Sequence, residues 1–389
     1  MSARPLFTII VPTYNRSNLV CDAIESVLAQ DLDGVEVIVS DNHSSDDTQS
    51  VLEPYRTDSR VTIVSPPEHG PLPQHWEWAR TKAHGQYINL LSDDDALVPG
   101  ALPRIAEVLR EYPNTTLVGR LGEYFGSQFP DHRANTLNHW VCPGGATLYD
   151  SHVFLKGLFR FWPRFDTHPT GWFFPQSVVQ IVARRCGTFF KTNGAEYHAI
   201  PAALAVDPKL VHLDEHTGIV GRMPDSIGTK IVLTNPGQDA IDEYVADTEQ
   251  VPRLSPVDVS CFGNLISEGI WSAKLDFPEE LARYPKDIDA YLLYVGREFE
   301  RRRAMGVRYG IHEQQLALLV KAHGVDLHAP DRLAARVRSR LMKPAIPRTV
   351  SVNGAAVSFE NVLGAVRYLA GVPIGAEAPS APVPAGVAR

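Results

Sequence analysis

The sequence has few cysteines and no long apolar run. Its 389 residues include four cysteines, Cys21, Cys142, Cys186 and Cys261, spaced 44 to 121 residues apart. That spacing excludes a zinc knuckle and a dense disulfide framework, and it indicates a reducing compartment. No run approaches the roughly 18 apolar residues that span a bilayer, and no signal-peptide pattern surrounds the run from Leu6 to Val11. The sequence therefore predicts a cytoplasmic protein.

An excess of positive charge is also lacking. The chain carries 37 Lys and Arg against 45 Asp and Glu, a formal net charge of −8. This argues against a nucleic-acid-binding protein, which usually shows a basic footprint. One region differs: residues 297–348 contain twelve Lys and Arg but only five Asp and Glu. These charges either lie on solvated helix faces or provide a peripheral contact with an anionic lipid or a polyanionic acceptor.

Several enzyme motifs are missing. No Gly-x-Gly-x-x-Gly follows the first predicted strand, which excludes a Rossmann dehydrogenase. A nucleotidyltransferase would need a glycine-rich, basic loop after that strand to grip a triphosphate. The loop present here, Pro12–Arg16, contains no glycine. We keep a nucleotidyltransferase only as an alternative.

The first 120 residues alternate between strand and helix patterns. We expect strands over Phe7–Val11, Val35–Val39, Arg60–Val64 and Tyr87–Leu91, and helices after Asn15, over Thr48–Tyr55, over Gln74–Ala83 and from Pro99 to Leu109. Such alternation predicts an α/β protein with a parallel sheet and helices on both of its faces. In these sheets the ligand lies beyond the carboxyl ends of the strands.

Polar clusters follow three of the predicted strands. They are Thr13–Asn15, Asp41–Asn42 and Asp93–Asp95. Three adjacent carboxylates repel one another unless a cation lies between them, and Mg²⁺ or Mn²⁺ binds well to such oxygens together with substrate phosphates. The alternative is a solvated acidic loop, but the convergence of three clusters at one sheet edge favours a metal site.

These segments resemble glycosyltransferase family 2. The resemblance rests on Phe7–Arg16 (Phe-Thr-Ile-Ile-Val-Pro-Thr-Tyr-Asn-Arg), Glu36–Thr48 and Gly85–Asp95, and it covers about residues 5 to 120. It implies an inverting enzyme with the GT-A fold, a mostly parallel twisted sheet flanked by helices, here with a helical C-terminal extension. It also implies a nucleotide diphosphate sugar as donor.

The resemblance further implies roles for single residues in donor binding. Pro12, Thr13 and Tyr14 would line the base and ribose pocket. Asp41 would accept a hydrogen bond from the imide N–H of uracil or thymine, which favours a UDP- or dTDP-sugar. Asp93 would contact the ribose or the sugar.

The metal ligands follow from the same resemblance. Asp94 would bind Mn²⁺ or Mg²⁺, and Asp95 lies next to the metal. Ser92 replaces the first acidic residue of the family's common Asp-x-Asp-Asp motif, which leaves the ligand open between Asp94 and Asp95. His212 or His216 would complete the site if a histidine takes part.

The resemblance also implies a catalytic base in the second half of the catalytic domain. In the family it is a carboxylate near the start of a helix, and Glu196, within Thr192–His198, is the best match. Alternatively, Glu196 only favours the helix N-terminus electrostatically. Asp207, Asp214 and Glu215 are the other candidate bases.

We expect a catalytic domain over residues 1–255, divided into a nucleotide-sugar half (1–120) and an acceptor half (121–255). A mainly helical region (256–373) and a disordered tail (374–389) would follow. The predicted activity is metal-dependent transfer of a sugar, with inversion by single displacement, to a hydroxyl of a glycan, a lipid or a natural product. A non-catalytic nucleotide-sugar-binding relative is a further alternative.

Overall fold

The computed structural model describes most of the chain. The described residues are 4–129, 133–161, 167–224, 226, 254–259, 261–304, 306, 308, 310–328, 346–351, 359 and 361–369. The predicted tail, 374–389, lies outside them.

The first part of the chain forms the expected alternation. Its strands are β1 (Phe7–Thr13), β2 (Val35–Asp41), β3 (Val61–Val64), β4 (Tyr87–Leu90) and the short β5 (Ala96–Leu97), and its helices are α1 (Val20–Leu28), α2 (Thr48–Leu52), α3 (Leu72–Arg80) and α4 (Ala101–Glu111). Strands β3, β2, β1 and β4 are parallel neighbours in that order. Their apolar residues are buried against helices such as α1, as the periodicity predicts.

The start of α4 differs from the expectation. Pro99 does not open this helix, because α4 begins only at Ala101. Gly100 precedes it as the N-cap residue with φ of 78°, a left-handed conformation that glycine adopts without the steric cost of a Cβ atom.

The second part of the chain adds further strands and helices. They are β6 (Thr116–Phe125), β7 (Thr136–Val141), β8 (Ala146–Asp150), α5 (His152–Leu158), β9 (Trp172–Pro175), α6 (Gln176–Cys186), α7 (Ala195–Val206) and β10 (Lys209–Arg222). Strand β9 runs antiparallel between β4 and β6 and so joins the two halves of the sheet. Strand β10 lies parallel to β6 and antiparallel to β5 and β8.

The C-terminal region is not entirely helical. It contains α8 (Phe262–Asp276), α9 (Ile288–Ala304), α10 (Ile311–His323), β11 (Ile346–Ser351) and α11 (Val362–Leu369). Strand β11 pairs with β7, so this region extends the catalytic sheet. Just before α11, Asn361 Nδ2 donates to Asp22 Oδ1 of α1 over 3.2 Å. Among the described residues, no helix has both the length and the apolar composition needed to cross a membrane.

Candidate active site

Hydrogen bonds join the loop that follows β1 to the loop that follows β2. The backbone N–H of Ser45 donates to Asn15 Oδ1 at 2.7 Å, and the N–H of Asn15 donates to Ser44 Oγ at 2.8 Å. Asn15 has a φ of 52°, a left-handed conformation that asparagine tolerates better than most residues. In a third hydrogen bond between these loops, the N–H of Ser17 donates to Asp46 Oδ2 at 3.0 Å. The two loops therefore form one rigid edge.

Asp41 lies at this edge, at the end of β2, and is 1% exposed. Its Oδ1 accepts a hydrogen bond from the backbone N–H of Ser44 at 3.0 Å and another from the Ser44 hydroxyl, and its Oδ2 accepts one from the side-chain amide of Gln49. Tyr14 is 45% exposed, with its ring centroid 4.7 Å from that of His69. Tyr14 directly follows Thr13, which pairs with Asp41 in the sheet.

The acidic triplet lies beside them, after β4. Asp93 and Asp94 are 9% and 8% exposed, whereas Asp95 is completely buried. Thr13 Oγ1 donates to Asp93 Oδ2 at 2.8 Å, which joins the end of β1 to the triplet. The clusters predicted at three strand ends are therefore neighbours.

Asp95 has a different environment from the other two aspartates. Its Oδ1 accepts from the backbone N–H of Gly221 in β10 at 3.0 Å, and its Oδ2 accepts from the hydroxyl of Thr170. His168 Nδ1 lies 3.4 Å from the same Oδ2. Asp95 thereby ties the triplet to β10 and to the loop before β9. Burial and the charge of Asp94 raise the pKa of Asp95 well above its usual value.

Asp93 and Asp94 instead face a cation. Arg16 Nη1 lies 3.6 Å from Asp94 Oδ2 and 3.9 Å from Asp93 Oδ1. The hydroxyl of Ser226 also donates to Asp94 Oδ2. Burial raises the pKa of Asp93 to about 7, an effect that the charge of Arg16 opposes and the charge of Asp94 reinforces. Two carboxylates that converge on one positive charge fit the oxygen ligands that Mg²⁺ and Mn²⁺ prefer.

Glu196 lies in the first turn of α7 and is half-buried. Burial raises the pKa of this carboxyl to about 7. The neighbouring Tyr197 accepts a hydrogen bond at its phenol oxygen from Thr167 Oγ1 at 3.3 Å, and Thr167 precedes the histidine that approaches Asp95. The helix that carries Glu196 is therefore linked to the loop behind the triplet.

The other candidate bases already have partners. Asp214 forms a buried ion pair with Arg120, and Glu215 forms one with Arg104 at 2.9 Å. Asp207 Oδ1 accepts from the N–H of Lys209 at 3.3 Å, at the start of β10.

Of the histidines with described contacts, His168 is the one that lies beside the triplet. The sequence did not predict this residue as part of the site. His216 Nδ1 lies 3.6 Å from Cys142 Sγ. Burial and positively charged neighbours lower the pKa of His216 and of His212 to about 4.

The position of Arg16 within the first motif was the only sequence signal for its place beside the triplet. No local pattern indicated His168, Thr170 or Ser226.

Comparison with known proteins identifies the domain. The family model described as glycosyl transferase family 2 matches residues 8–181, a segment that runs from β1 into α6 and contains all three polar clusters. These residues are a family 2 glycosyltransferase domain. The match confirms the resemblance, the α/β fold of GT-A type and the assignment to a family of transferase enzymes, and it extends beyond residue 120.

Curated relatives share part of this domain. The chain is 36% identical over 109 residues to the GalNAc(5)-diNAcBac-PP-undecaprenol β-1,3-glucosyltransferase of Campylobacter jejuni, over 28% of this chain and 35% of that protein. It is 33% identical over 108 residues to the chondroitin synthase of Escherichia coli, over 28% of this chain and 16% of that protein. The match therefore spans about a third or less of these relatives.

Two solved structures align with the chain at TM-scores below 0.5. S. aureus TarS 1–349 in complex with UDP-GlcNAc is 14% identical, with a TM-score of 0.47 over 75% of this chain and 80% of that chain. The mannosyltransferase PcManGT from Pyrobaculum calidifontis, in complex with GDP-Man and Mn²⁺, is 16% identical, with a TM-score of 0.41 over 87% of this chain and 88% of that chain.

Proposed function

We propose that this protein transfers a sugar from a nucleotide diphosphate sugar to an acceptor hydroxyl, with a divalent cation and with inversion. The observation that carries the proposal is the acidic triplet, which lies within hydrogen-bond distance of the end of β1 and beside the loop of Asp41. This edge would combine an anionic metal site with a place for the nucleotide, as donor binding requires.

The donor base is proposed to bind between the loops after β1 and β2, where Pro12, Thr13 and Tyr14 form one side. Asp41, as a carboxylate, only accepts hydrogen bonds, so it suits a base that offers an imide N–H. Uracil and thymine do so, and we propose a UDP- or dTDP-sugar. Asp93, which Thr13 holds in place, would face the ribose or the sugar.

The cation is proposed to bind at Asp94. This side chain retains some exposure, whereas the oxygens of Asp95 accept hydrogen bonds from Gly221 and Thr170. We therefore favour Asp94 as the ligand and Asp95 as the residue that fixes its position. A bound divalent cation would neutralise the charge that develops on the departing diphosphate.

Glu196 is proposed as the general base. Its carboxylate would take the proton of the acceptor hydroxyl while the acceptor oxygen bonds to the anomeric carbon and the bond from that carbon to the diphosphate breaks. The products are then the glycoside, the nucleoside diphosphate and a protonated Glu196. A carboxyl with a pKa of about 7 is suited to this exchange near neutral pH.

For the acceptor we propose a lipid-linked glycan in preference to a free glycan or a natural product, since the C. jejuni relative is named for an undecaprenol-linked substrate. A cytoplasmic protein would reach such an acceptor by peripheral contact through the basic region 297–348. In its described part, Arg301, Arg303 and Arg308 are exposed.

The decisive experiment compares wild type with Asp94→Ala by calorimetry. We expect wild type to bind UDP or dTDP more tightly with Mn²⁺ than without, and the variant to lose that difference while keeping its melting temperature. Asp47→Ala, which removes an exposed aspartate from a neighbouring loop, is the matched control. Unchanged metal-dependent binding in Asp94→Ala would contradict the metal assignment.

Turnover separates the remaining alternatives. Release of nucleoside diphosphate from a nucleotide sugar supports the proposal. Donor binding without release, in the presence of lipid and glycan acceptors, would indicate a non-catalytic relative. Release of pyrophosphate from a nucleoside triphosphate would indicate a nucleotidyltransferase.

A further inference from the structure

The side chain of Arg16 reaches the place where a metal would be bound. Its Nη1 faces Asp94 Oδ2 at 3.6 Å and Asp93 Oδ1 at 3.9 Å, and the side chain is only 15% exposed. Hydrogen bonds from N–H to oxygen are usually about 2.7–3.2 Å long, so these contacts are mainly coulombic.

The backbone of Arg16 is fixed while its side chain extends. The N–H of Arg16 donates to Thr48 Oγ1 at 3.3 Å, and its carbonyl accepts from Leu19 and Val20 at 3.0 and 3.1 Å, at the start of α1. These contacts hold the backbone of Arg16 without involving its guanidinium.

A divalent cation and a guanidinium repel each other at this separation. We propose that Arg16 is the counter-ion of Asp93 and Asp94 in the free protein, and that a divalent cation binds only by displacing it. Arg16 is thus a positioning residue, and this role rests on the proposed metal site. The displaced guanidinium gains a new partner when the donor diphosphate is present, because arginine binds phosphate oxygens strongly. Metal and nucleotide then favour each other's binding.

The first test measures Mn²⁺ affinity without nucleotide, by electron paramagnetic resonance. We expect Arg16→Gln to bind Mn²⁺ about tenfold more tightly than wild type, because the competing charge is gone. Arg16→Lys keeps the charge and should stay near wild type. Arg110→Gln, an exposed arginine of α4, is the control for an unspecific loss of charge. Addition of UDP should increase Mn²⁺ affinity by a smaller factor in Arg16→Gln than in wild type.

The second test measures the reactivity of Arg16 in the wild-type protein and uses Asp94→Ala as its control. Phenylglyoxal labelling followed by mass spectrometry should show Arg16 more reactive with Mn²⁺ than with EDTA, and Asp94→Ala should remove this difference.

The two proposals fail in different ways. If wild type binds Mn²⁺ but folded Arg16→Gln binds it equally or more weakly, or if Mn²⁺ leaves Arg16 labelling unchanged, the displacement is wrong and the metal site stands. If wild type binds no Mn²⁺ with or without UDP, the metal dependence of the proposed function is wrong and the displacement falls with it.

Discussion

Neighbouring aspartates of the triplet differ in what surrounds them, and that difference determines their chemistry. Asp95 has its oxygens taken by Gly221 and Thr170, whereas Asp94 accepts from Ser226 and faces Arg16. Redirecting a carboxylate whose two oxygens both accept hydrogen bonds within the protein leaves two donors unsatisfied, which costs free energy. The same chemical group can therefore support the fold at one position and offer a ligand at the next.

Asp41 is predicted to recognise the base. Asp41→Ala should weaken UDP binding by about 1.5–3 kcal/mol, the usual contribution of a hydrogen bond to a charged group. Gln49→Ala is the matched control, since it removes a hydrogen bond to the same carboxylate but keeps the carboxylate itself. Calorimetry with UDP checks both variants. Equal loss in the two would assign the effect to loop order, and no loss in Asp41→Ala would remove this residue from the pocket.

Glu196 is predicted to set the pH dependence of transfer. Its pKa is raised to about 7 by burial, and a base acts only when deprotonated, so the rate of nucleoside diphosphate release should rise as pH increases through about 7. Glu196→Gln should lower that rate on the order of 10²–10⁴-fold. UDP affinity should stay unchanged. Near-normal turnover in Glu196→Gln would transfer the role to Asp207, Asp214 or Glu215.

At the scale of elements, an ionic cluster joins α8 to α7. Asp276 at the end of α8 accepts from Lys191 Nζ at 2.8 and 2.7 Å on its two oxygens, and His198 Nε2 of α7 lies 2.9 Å from Oδ2. His198 is completely buried. The two helices also pack closely, since a Cβ at Gly269 of α8 would lie 2.5 Å from the Cβ of Tyr197. The position of Glu196 in α7 thus depends on α8.

Asp276→Asn is predicted to destabilise the fold by about 1–3 kcal/mol, because a buried histidine and a lysine lose their charged partner. The pKa of Asp276 is lowered, chiefly by hydrogen bonds from His198 and Lys191 that outweigh its burial. Its contribution is therefore complete above the pKa of the unfolded carboxyl and is lost as pH falls through the lower folded pKa. Urea unfolding at neutral and acidic pH should show the difference between wild type and variant shrinking in acid.

Glu279→Gln, an exposed carboxyl just beyond α8, is the control for this variant. A difference between wild type and Asp276→Asn that persists unchanged in acid would mean that the cluster acts by packing and not by charge.

At the scale of the whole molecule, the candidate site lies where the two halves of the sheet meet. Strand β9 pairs with β4 at Ile88 and Phe174 and with β6 at Val118 and Trp172, and so brings the second half against the parallel strands. Strand β10 then reaches Asp95 through Gly221. The C-terminal strand β11 and helix α11 return to the same sheet and to α1. The division into domains at residue 255 stays a prediction.

The sequence by itself determined the elements of the first half and the chemistry at their ends. Apolar periodicity gives the strands and helices, and parallel strands place their carboxyl ends at one edge, so the polar clusters had to meet. The preference of proline for the first turn of a helix predicts Pro99 inside α4. The left-handed φ of Gly100, which this preference does not include, instead starts the helix at Ala101.

Only the tertiary structure decided which aspartate is buried and which faces a cation. The partners of Asp95 lie 75 and 126 residues further along the chain, in elements whose positions follow from the antiparallel insertion of β9 and the crossover to β10. Local periodicity carries no information about such long-range pairing, because burial and hydrogen bonding at one residue depend on the packing of all its neighbours. The convergence of the acidic residues was therefore readable from the sequence, whereas the different surroundings of Asp94, Asp95 and Arg16 were not.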